Sequence, residues 1–338
     1  MAKRIAAFGE VMMRLQAPGY DLLSQANTLS YSFSGTGVNV AGALARLGHD
    51  SYLVSCLPPN PVGDAAAASL RKLGISQSFV ARGGKYMGMY FLENGFGPRP
   101  SRVTYSNRME SSFNTAPEET YDFESIAKQV DAVHFCGITL AMNDVVRNHM
   151  FRFASAVKAN GGHVVFDCNY RPSLWGNDGY AKAKPFYERM LRLADIAMLN
   201  ELDAMHILGL ASEKSAREDL LAELIPAVAD SYGISVAAGT HRSVNPDNTH
   251  SLRGYMYTQR NFFFSDTLTF AVYDRIGAGD AYASGIVHGE FERFAPEKTV
   301  RFAAAAAMLA HTTAGDTPVS SENEILKAME RSAGDIER

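Results

Sequence analysis

Asp274-Arg275-Ile276-Gly277-Ala278-Gly279-Asp280 is the segment with the clearest chemical capacity, and it leads into an apolar helical stretch from Ala281 to about Phe291. Gly277 and Gly279 permit backbone angles that a Cβ would forbid, and they let a ligand approach the chain closely. Ahead of a helix, the amides of such a turn converge on one concavity. The helix N-terminus adds partial positive charge, so the concavity suits an anion. Asp280, at or beside the first helical turn, would set a carboxylate next to that anion, where it can take a proton from a hydroxyl. An anion hole at Gly277, Ala278 and Gly279 with a base beside it is what phosphoryl transfer asks of a protein: positioning and charge stabilisation. In isolation the same residues would equally make a strand-to-helix turn with a capping Asp.

Other nucleotide signatures are missing. The Gly84-Lys85 pair is followed by Tyr86 rather than Ser or Thr, and Gly35-Thr36-Gly37 lacks the third glycine of a dinucleotide fingerprint. The chain of 338 residues is 46% hydrophobic and 20% charged, with a net charge of -4. These values suit a globular protein with a sizeable core and no basic nucleic-acid surface. Cys56, Cys136 and Cys168 are far apart in sequence, form no Cys/His cluster, and fit a reducing compartment. With no signal-like leader and no long uncharged apolar run, a cytoplasmic protein without a membrane partner is expected.

Strands alternating with helices must position the glycine turn. Ile5 to Phe8, His163 to Asp167, Ile196 to Leu199 and Ile234 to Ala238 read as buried strands. Gly35 to Leu47, Gly63 to Leu73, Val145 to Ala159, Tyr180 to Leu193 and Ser215 to Tyr232 read as helices, several of them stopped by glycine. Two more, Glu297 to Ala310 and Glu322 to Arg331, close the chain. The pattern predicts a parallel sheet covered on both faces. Val11 to Phe33 and Gly84 to Phe113 break it, the second with alternating aromatic and polar residues. They are expected to form a small β-sheet lid (11–33 and 84–113) on an α/β core (1–10, 34–83 and 114–338).

The seven-residue string resembles Asp-Thr-x-Gly-Ala-Gly-Asp, the C-terminal signature of the ribokinase (PfkB) family of carbohydrate kinases, with Arg275 in place of Thr. Further resemblances run along the chain. They are Gly9-Glu10, the segment Gly35-Thr36-Gly37-Val38-Asn39, the strand end Asp167-Cys168-Asn169-Tyr170-Arg171, then Asn200-Glu201-Leu202-Asp203, Gly239-Thr240, and His311 to Asp316. The resemblance implies a ribokinase-like three-layer α/β/α sandwich with a small β-sheet lid, using ATP and Mg²⁺ and leaving room for a monovalent cation. It implies that Asp280 is the general base. Gly35, Gly37 and Asn39 would meet the sugar, and Asn169, Asn200, Gly239, Thr240, Gly279 and His311 would meet ATP. Asn200, Glu201 and Asp203 would act on the metal indirectly. Asp203 stands where the family has Glu, and as a capped helix start this segment would have no ligand role.

Within the family the chain is most similar to 2-keto-3-deoxygluconate kinases. The likeness runs through Gly9 to Leu15, Leu57 to Asp64, Met89 to Glu93 and Asp167 to Trp175. An acid sugar needs a cation. Arg108 and Arg171 are the candidates, because a guanidinium grips a carboxylate with two hydrogen bonds. Tyr90 and Tyr105 are candidate lid contacts. The family's Tyr-x-Arg spacing is stretched here to Tyr105-Ser106-Asn107-Arg108, which implies a displaced Tyr105 or a bulge. The expected partners are a sugar or sugar acid, ATP, and a second copy joined through the lid. A neutral-sugar or nucleoside kinase, and a catalytically silent sensor of sugar or nucleotide, are the competing readings.

Overall fold

The computed structural model describes residues 2–330. The chain opens with β1 (Arg4–Phe8), then β2 (Met12–Gln16) and β3 (Ser30–Ser34), α1 (Thr36–Arg46), β4 (Asp50–Leu57), α2 (Pro61–Lys72) and β5 (Val80–Arg82). It continues through β6 (Gly88–Glu93), β7 (Arg102–Ser106), α3 (Phe123–Ala127), β8 (Ala132–Cys136), α4 (Asp144–Ala159), β9 (His163–Asp167), α5 (Pro172–Trp175) and α6 (Gly179–Leu191). The last part holds β10 (Ile196–Met198), α7 (Arg217–Tyr232), β11 (Val236–Val244), β12 (His250–Thr258), β13 (Asn261–Phe264), β14 (Leu268–Phe270), α8 (Ala278–Phe291), α9 (Pro296–Ala310) and α10 (Glu322–Glu330). Arg331, where the last helix was expected to end, lies outside the described residues.

A ten-stranded sheet runs in the order β13-β12-β11-β10-β9-β8-β1-β4-β5, with β14 also pairing with β12. From β5 to β11 the pairs are parallel, and β12 turns back antiparallel on β11. The central strands are apolar on both faces because both are covered. On one side Phe8, Phe135 and Phe166 pack with Phe153 of α4, Met190 of α6 and Leu224 of α7. On the other, Ile5, Val165 and Val236 pack with Leu44 of α1, Ile286 of α8 and Val300 of α9. This is the three-layer sandwich that the sequence predicts.

β3-β2-β6-β7 form a separate four-stranded sheet from the two segments set aside in the sequence. β3 reaches Ser34, one residue past the expected boundary. β4, β8 and β12 escaped the sequence reading. β8, Ala-Val-His-Phe-Cys, is buried throughout and so shows no alternation. β11 extends beyond Ala238 and carries Gly239 and Thr240 inside it rather than after it. α8 begins at Ala278, so the glycine turn runs into the first helical turn itself. Among the described residues no helix is long and apolar enough to cross a membrane.

Candidate active site

A cleft of about 790 Å³ opens between the C-terminal edge of the large sheet and the small sheet. Gly277 caps α8 in the left-handed region at φ 82°. A Cβ there would lie 1.7 Å from the carbonyl oxygen of Asp316, so only glycine fits. Gly279 differs: a Cβ on it would meet nothing within 4 Å, and it faces the open cleft. The two glycines therefore serve different ends, one shaping the turn and the other leaving room above it.

Asp280 is the third residue of α8 and is buried, with its carboxylate in the cleft. Asn39 Nδ2 donates to its Oδ2 at 2.7 Å. Burial, and then the charges of Asp167 and Asp316, push the Asp280 carboxyl up to about 8, against the lowering effect of Asn39. Burial likewise raises Asp167 to about 7 and Asp203 to about 6. Three carboxyls in one cleft thus keep their protons to higher pH than exposed carboxyls would, and incoming positive charge favours their ionised forms.

Both ends of the Asn39 amide are engaged, since Thr317 Oγ1 donates to its Oδ1 at 3.0 Å. In this state Asn39 holds the carboxylate rather than presenting a free amide to a sugar. Gly35, at φ 140°, lies against the Glu10 carbonyl and lines the cleft. Gly37 packs on Gly9 beneath the helix and does not line it, so its role is close packing.

On the small-sheet side, Tyr90 and Tyr105 are cross-strand partners with ring centroids 6.4 Å apart. The stretched spacing after Tyr105 is taken up by a left-handed turn at Asn107 (φ 52°), beyond the end of β7. The turn brings Arg108 back over the Tyr105 ring, 4.6 Å from its centroid. Arg108 is buried; its Nε donates to Glu10 Oε2 at 3.0 Å, while its Nη1 is buried without a partner. Tyr90 donates its hydroxyl to Asp316 and lies 3.0 Å from Ser34 Oγ. Arg14, on β2, pairs with Asp316 and with Asp274, the latter at 2.9 Å, in a buried network.

Arg171 is exposed at the cleft and donates to the Tyr170 carbonyl at 3.3 Å. Asn169, also at the cleft, takes a positive φ of 33° and donates to Cys136 Sγ at 3.2 Å. Gly239, Thr240 and His311 line the end of the cleft nearest β11, and His311 Nδ1 lies 2.7 Å from the Ala307 carbonyl. Asn200 and Asp203 cap each other. The Asn200 side chain accepts from the amides of Leu202 and Asp203, and the Asp203 carboxylate accepts from the Asn200 amide at 2.9 Å. Glu201 is buried and does not line the cleft, accepting from Arg217 Nε and lying 3.2 Å from His241 Nε2. Its carboxylate is spent on that pair.

Among the described residues no three His, Cys, Asp or Glu side chains cluster as a ready-made metal site. The donor set fits an ion carried in with a nucleotide instead. Asp203 keeps one oxygen beyond its capping bond, and magnesium is ordinarily held by one or two carboxylates plus substrate phosphates. Asp316 and Arg14 fall within the segments that resemble the family, but nothing in their local sequence assigns them a role. Their pairing joins residues 302 positions apart and leaves no local signal.

A sequence profile of the pfkB family carbohydrate kinases matches residues 2–236. The chain is 26% identical over 338 residues to a 2-dehydro-3-deoxygalactonokinase of Haloferax volcanii, covering 100% of each chain. It is 33% identical to the crystal structure of a 2-dehydro-3-deoxygluconokinase of Thermotoga maritima, covering 98% of this chain and 99% of that one, at a TM-score of 0.93. A crystal structure of a proposed 2-keto-3-deoxygluconate kinase from Enterococcus faecalis is 39% identical, covers 100% and 99% of the two chains, and gives a TM-score of 0.95.

Proposed function

The chain belongs to the pfkB family of carbohydrate kinases, and from that premise we propose that it phosphorylates a 2-keto-3-deoxy sugar acid with ATP. 2-Keto-3-deoxygluconate is the first candidate, giving its 6-phosphate. The observation that carries the choice of an acid is the Arg108 Nη1, a buried donor without a partner in a residue that lines the cleft. A buried donor left unpaired is costly, and a substrate carboxylate satisfies it. Arg171 supplies a second guanidinium, and Tyr105 a wall. The names of the relatives above support the same class of substrate.

The hydroxyl at the other end of the sugar then faces Asp280. Its proton passes to the Asp280 carboxylate as its oxygen bonds to the γ-phosphorus, and the bond from that phosphorus to the β–γ bridging oxygen breaks, releasing ADP. A carboxyl whose pKa is raised by burial is, once ionised, a stronger base than an ordinary carboxylate. The amides of Ala278 and Gly279 bear the charge on the transferring group. Magnesium supplies charge neutralisation of the phosphates, with Asn200 and Asp203 the residues that would hold it. The small sheet, at residues 11–33 and 84–113, closes as a lid and excludes water. Its exposed Tyr31 and Tyr86, neither of which lines the cleft, supply apolar surface for a second copy.

A neutral sugar is the alternative, favoured by one fact: Glu10 already balances the Arg108 charge. A screen of 2-keto-3-deoxygluconate, 2-keto-3-deoxygalactonate, fructose, ribose and adenosine with MgATP decides. Higher kcat/KM on the two acids supports the proposal, and higher kcat/KM on fructose or ribose sinks it.

A further inference from the structure

Arg242 and Arg275 line the same end of the cleft, one from β11 and one just ahead of the glycine turn. On a strand, residues two apart share a face, so Arg242 points to the side where Thr240 lines the cleft. Among the described residues neither guanidinium has a carboxylate within ion-pair distance, whereas Arg14, Arg108, Arg147 and Arg217 each do. The nearby acid, Asp274, is already committed. Its Oδ2 takes Arg14 at 2.9 Å and the Gly315 amide at 3.3 Å, and its Oδ1 takes the amides of Arg275 and Ile276.

The remaining neighbours are basic. His250 Nδ1 lies 2.8 Å from Arg242 Nη1, and the His250 ring is 6.0 Å from that of His311. The Arg242 and Arg275 side chains are both exposed to solvent at the cleft; partial desolvation by the cleft wall, and then the charge of Arg275, lower the Arg242 guanidinium from its usual range. Burial and the two arginines also keep His250 and His311 low. Like charges gathered at a cleft wall without a counterion are self-repulsive, and an anion with charge on adjacent groups relieves that repulsion.

We propose that Arg242 and Arg275 form a two-guanidinium clamp for the polyphosphate of the nucleotide, beside the phosphate taken by the turn amides. This rests on the kinase reading above for its ligand. Arg275, which stands where the signature has Thr, thereby gains a role. Guanidiniums match phosphate oxygens two at a time, so the pair distinguishes a di- or triphosphate from a nucleoside.

Isothermal titration of the parent, Arg275→Thr, Arg242→Ser and the double variant tests this, with inorganic pyrophosphate, ATP and adenosine as probes. Pyrophosphate and ATP affinity should fall about ten- to hundredfold in the double variant. Adenosine affinity and the KM for sugar should hold, and the ligand-free Tm should not fall, since a repulsion has been removed. Arg275→Lys should restore part of the loss. Pyrophosphate and ATP affinities unchanged in the double variant, or a parent that does not bind pyrophosphate, overturn the clamp. So does a variant that loses adenosine binding and Tm together, which would make the arginines structural. A parent that binds pyrophosphate through these arginines yet phosphorylates no sugar would leave the clamp standing and remove the kinase reading. An active parent whose variants bind ATP equally well would do the reverse.

Discussion

Asn39, the fourth residue of α1, donates its side-chain amide to the Asp280 carboxylate of α8 across 2.7 Å, and both side chains are buried. The bond stabilises the ionised carboxylate and opposes the burial that drives its pKa up. Asp280→Asn should lose about 10²–10⁴-fold in kcat while still binding ATP and sugar. Asn39→Ala should act differently. With the donor gone, the folded carboxyl holds its proton more tightly, so the acid limb of kcat/KM should move to higher pH. In the parent that limb should already lie well above the ordinary carboxylate range, toward the value of about 8 for Asp280 in the free protein. A pH–rate profile of both forms checks the order, and an unmoved limb would make Asn39 a packing residue only.

The two glycines of the turn should separate in their effects. Gly277→Ala puts a methyl group against the Asp316 carbonyl at a left-handed φ, and should lower stability by about 1–3 kcal/mol. Gly279→Val meets no protein atom at its Cβ, so Tm should change little. Its side chain enters the space above the turn, and kcat should fall on the order of 10²-fold. Thermal melts beside steady-state assays of both variants read the contrast. Equal loss of stability in the two would undo it.

Arg108 and Arg171 should set the preference for an acid. Arg171→Ala should reduce kcat/KM for 2-keto-3-deoxygluconate by about ten- to hundredfold, and for fructose much less. Arg108→Ala should act in the same direction. It also leaves Glu10 buried without its cation, and burial already pushes that carboxyl up. The acid-to-neutral ratio, rather than either absolute rate, is therefore the measurement to make. A ratio unchanged in both variants would return the substrate to an unspecified sugar.

Arg14 ties the small sheet to the loop that supports the glycine turn, through Asp274 and Asp316. Arg14→Met leaves the buried Asp274 and Asp316 carboxylates without their cation and should cost roughly 3–5 kcal/mol. Hydrogen exchange should be faster in 12–16 and in 311–317 together, because the bond joins them. In the parent, saturating sugar should slow exchange in 11–33 and 84–113 as the lid closes. Unchanged protection in those segments would remove the lid.

Local chemistry was enough for much of this protein. The β1 strand, the start of α1, the turn at Gly277 and the strand end at Asp167 all follow from glycine stops, apolar runs and residue types adjacent in the chain, whereas α8 begins at Ala278, three residues ahead of the apolar run at Ala281. Two segments, 11–33 and the aromatic 84–113, could be set aside as a second sheet because they broke the helix–strand alternation. Partnerships were another matter. Asn39 meets Asp280 across 241 positions because α1 packs on α8, and Arg14 of β2 meets Asp316, in the loop after α9, across 302. Glu201, adjacent to Asn200, faces Arg217 and His241 instead of the cleft, since successive residues around a helix start point in different directions. A residue's type limits what it can bond to; which partner it finds, and whether burial then raises its pKa, depends on the strand order and helix packing of the finished fold.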